Sequence, residues 1–371
     1  INISSVAGLL TDPAVSQLDL KGTVQPQLAV QLAAKPSASF KGTLRLKQIA
    51  ALINTIQLSG LAGEIALEGT ESNQQLRASS PLSFSLNDVP ATLVLQASNS
   101  PSRADVESFE LKGFGGNLSG GGRLHYSSQG FAAKLAAVEL KIADALRALA
   151  PQLPIRVTGL LTSAKADITG TLGSDVAASL RGKTSLAVVN GEIKEVNLAA
   201  EVLREVTELP FLRGSLLDSV PEEERKELQS ADTKIKELKL VANIANSSLQ
   251  IVTMKLISSI FAMQGKGLIG FDGSLNLSAK IVFSKAFSTA LATKTREVQK
   301  ILNRDGQLVI PLKIKGSAGK VRVLPDTTQL LKMAAKGALK EKAGNLLGEV
   351  LGEQKNKAGK KAGGLGGLLG F

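Results

Sequence analysis

The chain has 371 residues, 43% of them hydrophobic but only 3% aromatic, with one Tyr and no Trp, which is length for two or three ordinary domains with a core of Leu, Ile, Val and Ala. The absence of Cys excludes disulfides, thiolate metal sites and thiol catalysis. The net charge is +12, and the stretch from Lys285 to Phe371 holds 17 Lys and Arg against 6 Asp and Glu, so a near-neutral body is followed by a basic C-terminal part.

In chain order, short runs alternate apolar and polar residues and close on an apolar–polar–glycine pattern. Copies are Leu20-Lys21-Gly22, Phe40-Lys41-Gly42, Leu58-Ser59-Gly60, Leu111-Lys112-Gly113, Val157-Thr158-Gly159, Ile168-Thr169-Gly170, Leu180-Arg181-Gly182, Met263-Gln264-Gly265 and Ile314-Lys315-Gly316. Period-two alternation predicts strands with one oily and one wet face. The glycines are expected at the turns or bends that start the next strand.

Leu28, Val30 and Leu32 share one face, as do Leu82, Phe84 and Leu86, then Ala91, Leu93, Leu95 and Ala97. The soft stretch from Ala97 to Arg103 does not demand a boundary. Ile142, Leu146 and Leu149 have helical spacing before Pro151, and Asn197 is the expected N-cap of a helix carrying Leu198, Val202 and Val206. Pro221 to Gln229 is charged and reads as helix or loop. Strands resume with Leu238, Leu240, Ala242 and Ile244, then Leu275, Leu277, Ala279, Ile281 and Phe283. Ser284 caps a helix bearing Phe287, Leu291, Val298 and Leu302, and Leu308, Ile310, Leu312 and Ile314 close the series. Neighbouring runs are expected to pair as an antiparallel meander of about 18 strands, on the order of 85 Å long. Pro325-Asp326 opens a basic amphipathic helix with Lys332, Lys336 and Lys340 in one row and Leu346, Leu347, Val350 and Leu351 as its stripe. The Gly/Lys-rich stretch beyond it reads as disordered.

Motifs for small-molecule chemistry fail on context. Gly265-Lys266-Gly267-Leu268-Ile269-Gly270 spells a dinucleotide fingerprint, but Phe271-Asp272-Gly273-Ser274 after it reads as a hairpin turn, with no helix N-terminus for a pyrophosphate. Gly182-Lys183-Thr184 has the end of a P-loop and strand-like residues after it. The single histidine, His125, sits beside Tyr126 on an alternating segment and reads as a surface strand residue. Glu222, Glu223 and Glu224 read as a solvated helix start. No metal, cofactor or catalytic residue is expected. Nucleic acid is not an expected partner, because the basic part lacks stacking aromatics.

From about Pro154 to Gly352 the chain resembles the C-terminal region of the AsmA-like family of bacterial envelope proteins. The resemblance rests on the order of Val157-Thr158-Gly159, Ala166-Asp167-Ile168-Thr169-Gly170, Leu180-Arg181-Gly182 and Val188-Val189-Asn190-Gly191-Glu192-Ile193. Then come the helix from Asn197, Met263-Gln264-Gly265-Lys266-Gly267, Pro311-Leu312-Lys313-Ile314-Lys315-Gly316, and Pro325-Asp326. It implies a repeating β-groove anchored at the inner membrane and reaching across the periplasm, linked to phospholipid transport to the outer membrane.

The fold expected is therefore mainly β: a long curved antiparallel sheet forming an open apolar groove (a β-taco), with a few short helices and a C-terminal amphipathic helix. Residues 1–153 read as groove repeats, 154–324 as the AsmA-like region with helical insertions, 325–351 as the basic helix and 352–371 as tail. The function expected is bridge-like lipid transport, with phospholipid acyl chains on Leu28, Val30, Leu32, Leu82, Phe84, Leu86, Leu93, Leu95, Leu238, Leu240, Ile244, Leu275, Leu277, Ile281, Phe283, Leu308, Ile310, Leu312 and Ile314. The partners expected are phospholipids, an anionic membrane surface met by Lys332, Lys336 and Lys340, and an outer-membrane protein. A scaffolding β-protein of the envelope without lipid cargo is the alternative. The longest apolar runs are far short of a spanning helix. A chain starting at Ile1 reads as a fragment or processed form, with its inner-membrane anchor expected in an N-terminal segment outside it.

Overall fold

The computed structural model describes residues 21–31, 39–53, 55–151, 156–173, 175–207, 220–294, 296–317, 320–333 and 335–336. Strands β1 (Lys21–Gln31), β2 (Ser39–Ile53), β3 (Ile56–Thr70), β4 (Gln74–Leu86) and β5 (Val89–Ser100) come first. They are followed by β6 (Arg103–Gly113), β7 (Gly116–His125) and β8 (Gly130–Val138); β9 (Leu140–Lys141) resumes the direction of β8 after Glu139 and leads into α1 (Ile142–Leu149). Next come β10 (Val157–Thr171), α2 (Val176–Ser179) and β11 (Arg181–Ile193). The helices α3 (Leu198–Thr207) and α4 (Glu222–Gln229) are inserted before β12 (Thr233–Ala245). Strands β13 (Ser248–Ile257), β14 (Phe261–Gly270) and β15 (Ser274–Phe283) follow. Then α5 (Lys285–Lys294) and α6 (Arg296–Gln299) precede β16 (Val309–Ser317) and β17 (Lys320–Pro325). Residues 327–333 are helical.

These seventeen strands make one curved antiparallel sheet, as the alternation predicts. Each of β1 to β7 pairs with its successor, β10 pairs with both β8 and β9, and each of β10 to β16 pairs with the next strand. Two-residue turns with positive φ at both positions join several pairs: Asn87-Asp88, Phe114-Gly115 and Asn246-Ser247. This is the turn whose twist matches that of the strands it connects. The edges are blunted by Pro26 in β1 and by the shortness and charge of β17, which carries Lys320 and Arg322.

The repeated glycines are not turn residues. Gly22, Gly42, Gly60, Gly159, Gly170, Gly182, Gly265 and Gly316 lie inside strands, and Gly113 alone closes one. Gly182 shows the reason. Its φ is +157°, and a Cβ there would collide with the Asp167 carbonyl oxygen on the adjacent strand. The glycine lets two backbones approach where a side chain would hold them apart.

The two predicted caps are present, and Asp326, expected at a helix opening, is a third. Asn197 Oδ1 accepts from Ala200 N (2.9 Å), Ser284 Oγ from Phe287 N (3.2 Å) and Asp326 Oδ1 from Gln329 N (3.1 Å). The helices pack on the apolar face in two places. α1 covers one end of the middle strands, where Ala148 joins Val89, Phe114, Ala137 and Leu140. Asn87 Nδ2 ties the β4–β5 turn to it by donating to Ala148 O (2.9 Å). Helices α3 to α6 lie over β12–β17 and share a single core with them, built around Phe261, Phe283 and Phe287. Phe283 and Phe287 stack with ring centroids 4.7 Å apart.

We expect Gly182→Val to lower Tm by at least about 3 °C, through backbone strain of roughly 1–3 kcal/mol. Gly173→Val, at nearly the same φ (+156°) but with open space around it, is the control that carries the backbone strain alone, so the further loss at Gly182 measures the clash with the Asp167 carbonyl. Calorimetry of the two variants side by side checks this.

Candidate functional site

Cross-strand register aligns the apolar positions into rows running the length of the sheet. One row is unbroken from edge to edge: Leu28, Gly42, Leu67, Leu76, Ala97, Val106, Gly122, Ala133, Ile168, Gly182, Ile244, Leu249, Ile269, Leu275, Gly316 and Val321. Every position is aliphatic or glycine. Four residues further along the strands, a second row runs Leu82, Leu93, Leu111, Leu118, Ala137, Ala164, Leu186, Leu240, Met254, Gly265, Ala279, Leu312 and Pro325, and the row between the two is interrupted by Thr184, between Ala166 and Ala242. Sixteen strands at about 4.8 Å spacing give such a row a length of roughly 72 Å.

Over β2 to β11 much of this face is half-buried only. Leu44, Leu46, Ile65, Leu67, Leu76, Leu95, Phe109, Leu135, Ile168 and Leu186 all retain solvent exposure. Over β12 to β17 the part of this face beneath α3–α6 is closed, while Leu240, Ile244, Leu249, Ile269 and Leu275 stay half-buried. Ile281, Phe283, Ile310, Phe287 and Leu291 are each 0% exposed.

The cover is fastened by a polar latch where α3 and α4 leave and rejoin the sheet. Asn197 Nδ2 donates to Glu227 O (2.8 Å) and Ser230 O (2.7 Å). Thr233 Oγ1 donates to Val196 O (2.7 Å) and accepts from Leu198 N (2.9 Å). Lys194 Nζ lies 2.6 Å from Glu192 Oε2 and 3.0 Å from Asp232 Oδ2. The Glu195 N–H, seconded by Lys194, holds the Asp232 carboxyl below the usual carboxylate range. Glu192, then Asp232, holds the Lys194 ammonium above its ordinary value.

The residues read from sequence as groove lining divide accordingly. Phe84, Leu86, Leu93, Leu95, Leu238, Leu240, Ile244 and Leu275 are half-buried, and Leu82 is buried. Leu28 holds its place in the row, Val30 is 60% exposed opposite Phe40, and Leu32 lies outside the described residues. Leu277, Ile281, Phe283, Leu308, Ile310, Leu312 and Ile314 are a correction: they sit in the closed core under α3–α6 rather than in an open groove. Alternation fixes which face a residue takes, and not what covers that face. Lys332 and Lys336 are exposed; Lys340 and the stripe from Leu346 lie outside the described residues.

Missed lining residues are Leu44, Leu46, Ile65, Leu67, Leu76, Phe109, Leu135, Ile168 and Leu186. Glycines share the alternation of some of them, Gly42 with Leu44 and Leu46 and Gly63 with Ile65 and Leu67, whereas Leu186 follows the polar Thr184.

Gly265 to Gly270 lies in β14, Gly182 to Thr184 lies in β11, and His125 ends β7 exposed. Among the described residues no three His, Asp or Glu converge as a metal site, and no helix is long and apolar enough to cross a membrane. No protein-family model, curated protein or solved structure matches this chain.

Two outcomes are expected. Leu291→Ala, on the buried side of the covering helix α5, costs about 2–5 kcal/mol, whereas Leu95→Ala, on the open stretch, costs about 1 kcal/mol or less; urea unfolding of both variants measures the contrast. A carboxylate with a lowered pKa stabilises above its unfolded value and loses that contribution as pH falls through the folded one. Lys194 stays charged throughout that range. The α3–α4 cover is therefore expected to loosen below about pH 4, and Asp232→Asn to remove the Asp232-dependent part of that transition, read as amide exchange in residues 198–207 and 222–229.

Proposed function

We propose that this chain is a bridge-like lipid transport protein of the Gram-negative envelope. In this reading phospholipid acyl chains lie along the apolar face of β1–β11 while their headgroups stay in water at its rim. The observation that carries the reading is the unbroken row from Leu28 to Val321, flanked over β2–β11 by half-exposed Leu and Ile.

Water alone is a poor neighbour for such a surface. Each methylene leaving water gains about 0.8 kcal/mol, so an acyl chain of about 16 carbons faces roughly 12 kcal/mol on an aqueous route. A face of similar oiliness all along removes most of that barrier, and the process needs no reactive group. The periplasmic setting and the passage between inner and outer membranes are what the resemblance to the AsmA-like family, carried by the motif order from Val157 to Asp326, implies. Helices α3–α6 cover part of the apolar face of β12–β17.

That cover also favours a second reading, in which the sheet is an envelope scaffold whose apolar face is met only by protein. Gentle purification, native mass spectrometry and lipid extraction separate the two. Transport predicts co-purified phospholipid that is lost in Leu95→Lys or Leu135→Asp with Tm nearly unchanged, because a charge on a half-open face still reaches water. Scaffolding predicts no bound lipid in the parent protein. Leu277→Asp, in the closed core, is expected to unfold the protein in either case.

A further inference from the structure

The polar face of the sheet changes character along its length. Over β2–β8 it mixes signs, and its charges meet in pairs: Lys41 with Glu68 (3.3 Å), Arg45 with Glu64, and Asp105 with both Arg103 and Arg123. Strands β13 to β17 contain no Asp or Glu at all, yet they carry Lys255, Lys266, Lys280, Lys313, Lys315, Lys320 and Arg322. All seven are exposed.

Register sets these cations in three parallel rows. The first runs Lys239, Lys255, Gln264, Lys280; the second Lys266, Ser278, Lys313; the third Asn276, Lys315, Arg322. Lys239 stands directly opposite Lys255, and Lys315 directly opposite Arg322. Like charges so placed destabilise a sheet. The carboxylates that reach the face are few: Glu237 pairs with Lys239, and Asp326 with Lys313 at 3.3 Å. A depression of about 590 Å³ opens among Lys255, Gln264, Lys266, Ser278, Lys280 and Gln329.

We propose that this polar face of β13–β17 is a docking surface for an anionic phospholipid bilayer, distinct from the apolar row on the opposite face and independent of any lipid carried there. Charge complementarity fixes the sign of the partner, and the apolar residues among the cations fix its class. Val252, Leu268 and Leu324 are 41–51% exposed between the lysines, and Phe271 stands exposed in the β14–β15 turn. Cations interleaved with exposed aliphatic side chains suit a headgroup layer with hydrocarbon beneath it. A nucleic acid calls for stacking aromatics and arginine forks; both phenylalanines of these strands, Phe261 and Phe283, are buried on the other side, and Arg322 is the one arginine. The surface continues into the helical residues 327–333 and 335–336, where Leu331, Lys332 and Lys336 are exposed.

The test is co-sedimentation of the full chain with vesicles of 30% phosphatidylglycerol in phosphatidylcholine at low salt, against vesicles of pure phosphatidylcholine. Binding to the anionic vesicles only, lost at high salt, is the expected result. The four-site variant Lys255→Gln, Lys266→Gln, Lys280→Gln, Lys315→Gln should weaken it roughly a hundredfold or more, at about fivefold per lysine. Its Tm should hold or rise as like-charge opposition is relieved; if that variant does not fold, Lys266→Gln, Lys280→Gln takes its place with an expected loss of about 25-fold. Leu135→Asp should bind vesicles as the parent does, which separates failure of the trough from failure of this surface. The proposal is overturned if the parent ignores anionic vesicles, if the lysine variants bind undiminished, if Lys332→Gln with Lys336→Gln alone abolishes binding, or if a 30-mer single-stranded DNA binds tighter than the vesicles.

Discussion

A sheet of seventeen strands with one oily face requires each strand to hand the apolar row to the next without a slip. Because side chains alternate with period two, a shift of one residue anywhere would turn the oily face to water from that point on. The row from Leu28 to Val321 survives fifteen consecutive pairings, although the ladders contain bulges, for example between Gln96 and Ala97 and between Val241 and Ala242. Tight two-residue turns and in-strand glycines pin the register on either side of these irregularities. Gly182 admits only one close neighbour, the Asp167–Ile168 backbone, so a slipped β10–β11 pair would lose that fit.

The same constraint explains the division of the apolar face. Where α3 to α6 are inserted, side chains such as Ile281 and Leu291 reach full burial and the local structure is an ordinary α/β layer with a packed core. Where hairpins follow one another with nothing inserted, most Leu and Ile side chains stop at half burial, Ile49 and Leu82 excepted. An exposed apolar strip of that length is costly in water and prone to association unless something covers it. Its edges are protected by Pro26 and by the charges of β17, so the exposure is confined to the face and does not extend to free strand edges.

Much of this was legible in the residues. The strands, the meander and the helix starts follow from alternation, from Asn197 and Ser284, and from Pro325-Asp326. What alternation does not carry is coverage. Leu277 and Leu93 have the same sequence signature, yet one lies beneath helices and the other beside solvent, because the difference comes from insertions remote in sequence. The glycines were misread for a related reason: Gly182 next to Arg181 looks like a turn residue until the backbone of β10 is placed against it. The lysine rows were hidden too, since Lys255, Lys280 and Lys315 become neighbours only through register.

The two faces pose opposite problems that one register settles. On one side, apolar residues align so that neighbouring strands share a strip with no polar break. On the other, β2–β8 place acids across from bases, as in Lys41 and Glu68, whereas β13–β17 align cations with cations. Pairing Lys315 with Arg322 gains nothing for the sheet by itself, and a single acid in β17 would have relieved it. The strands under this repulsion are those whose other face is best packed, with Ile281, Ile310 and Leu312 buried beneath them. Hydrophobic burial of about 1.5–3 kcal/mol per large side chain is ample to offset the repulsion of solvated lysines at moderate salt. The closed core thus gives the cationic face a rigid support, while the half-buried stretch, lacking such a reserve, keeps its charges neutralised in pairs.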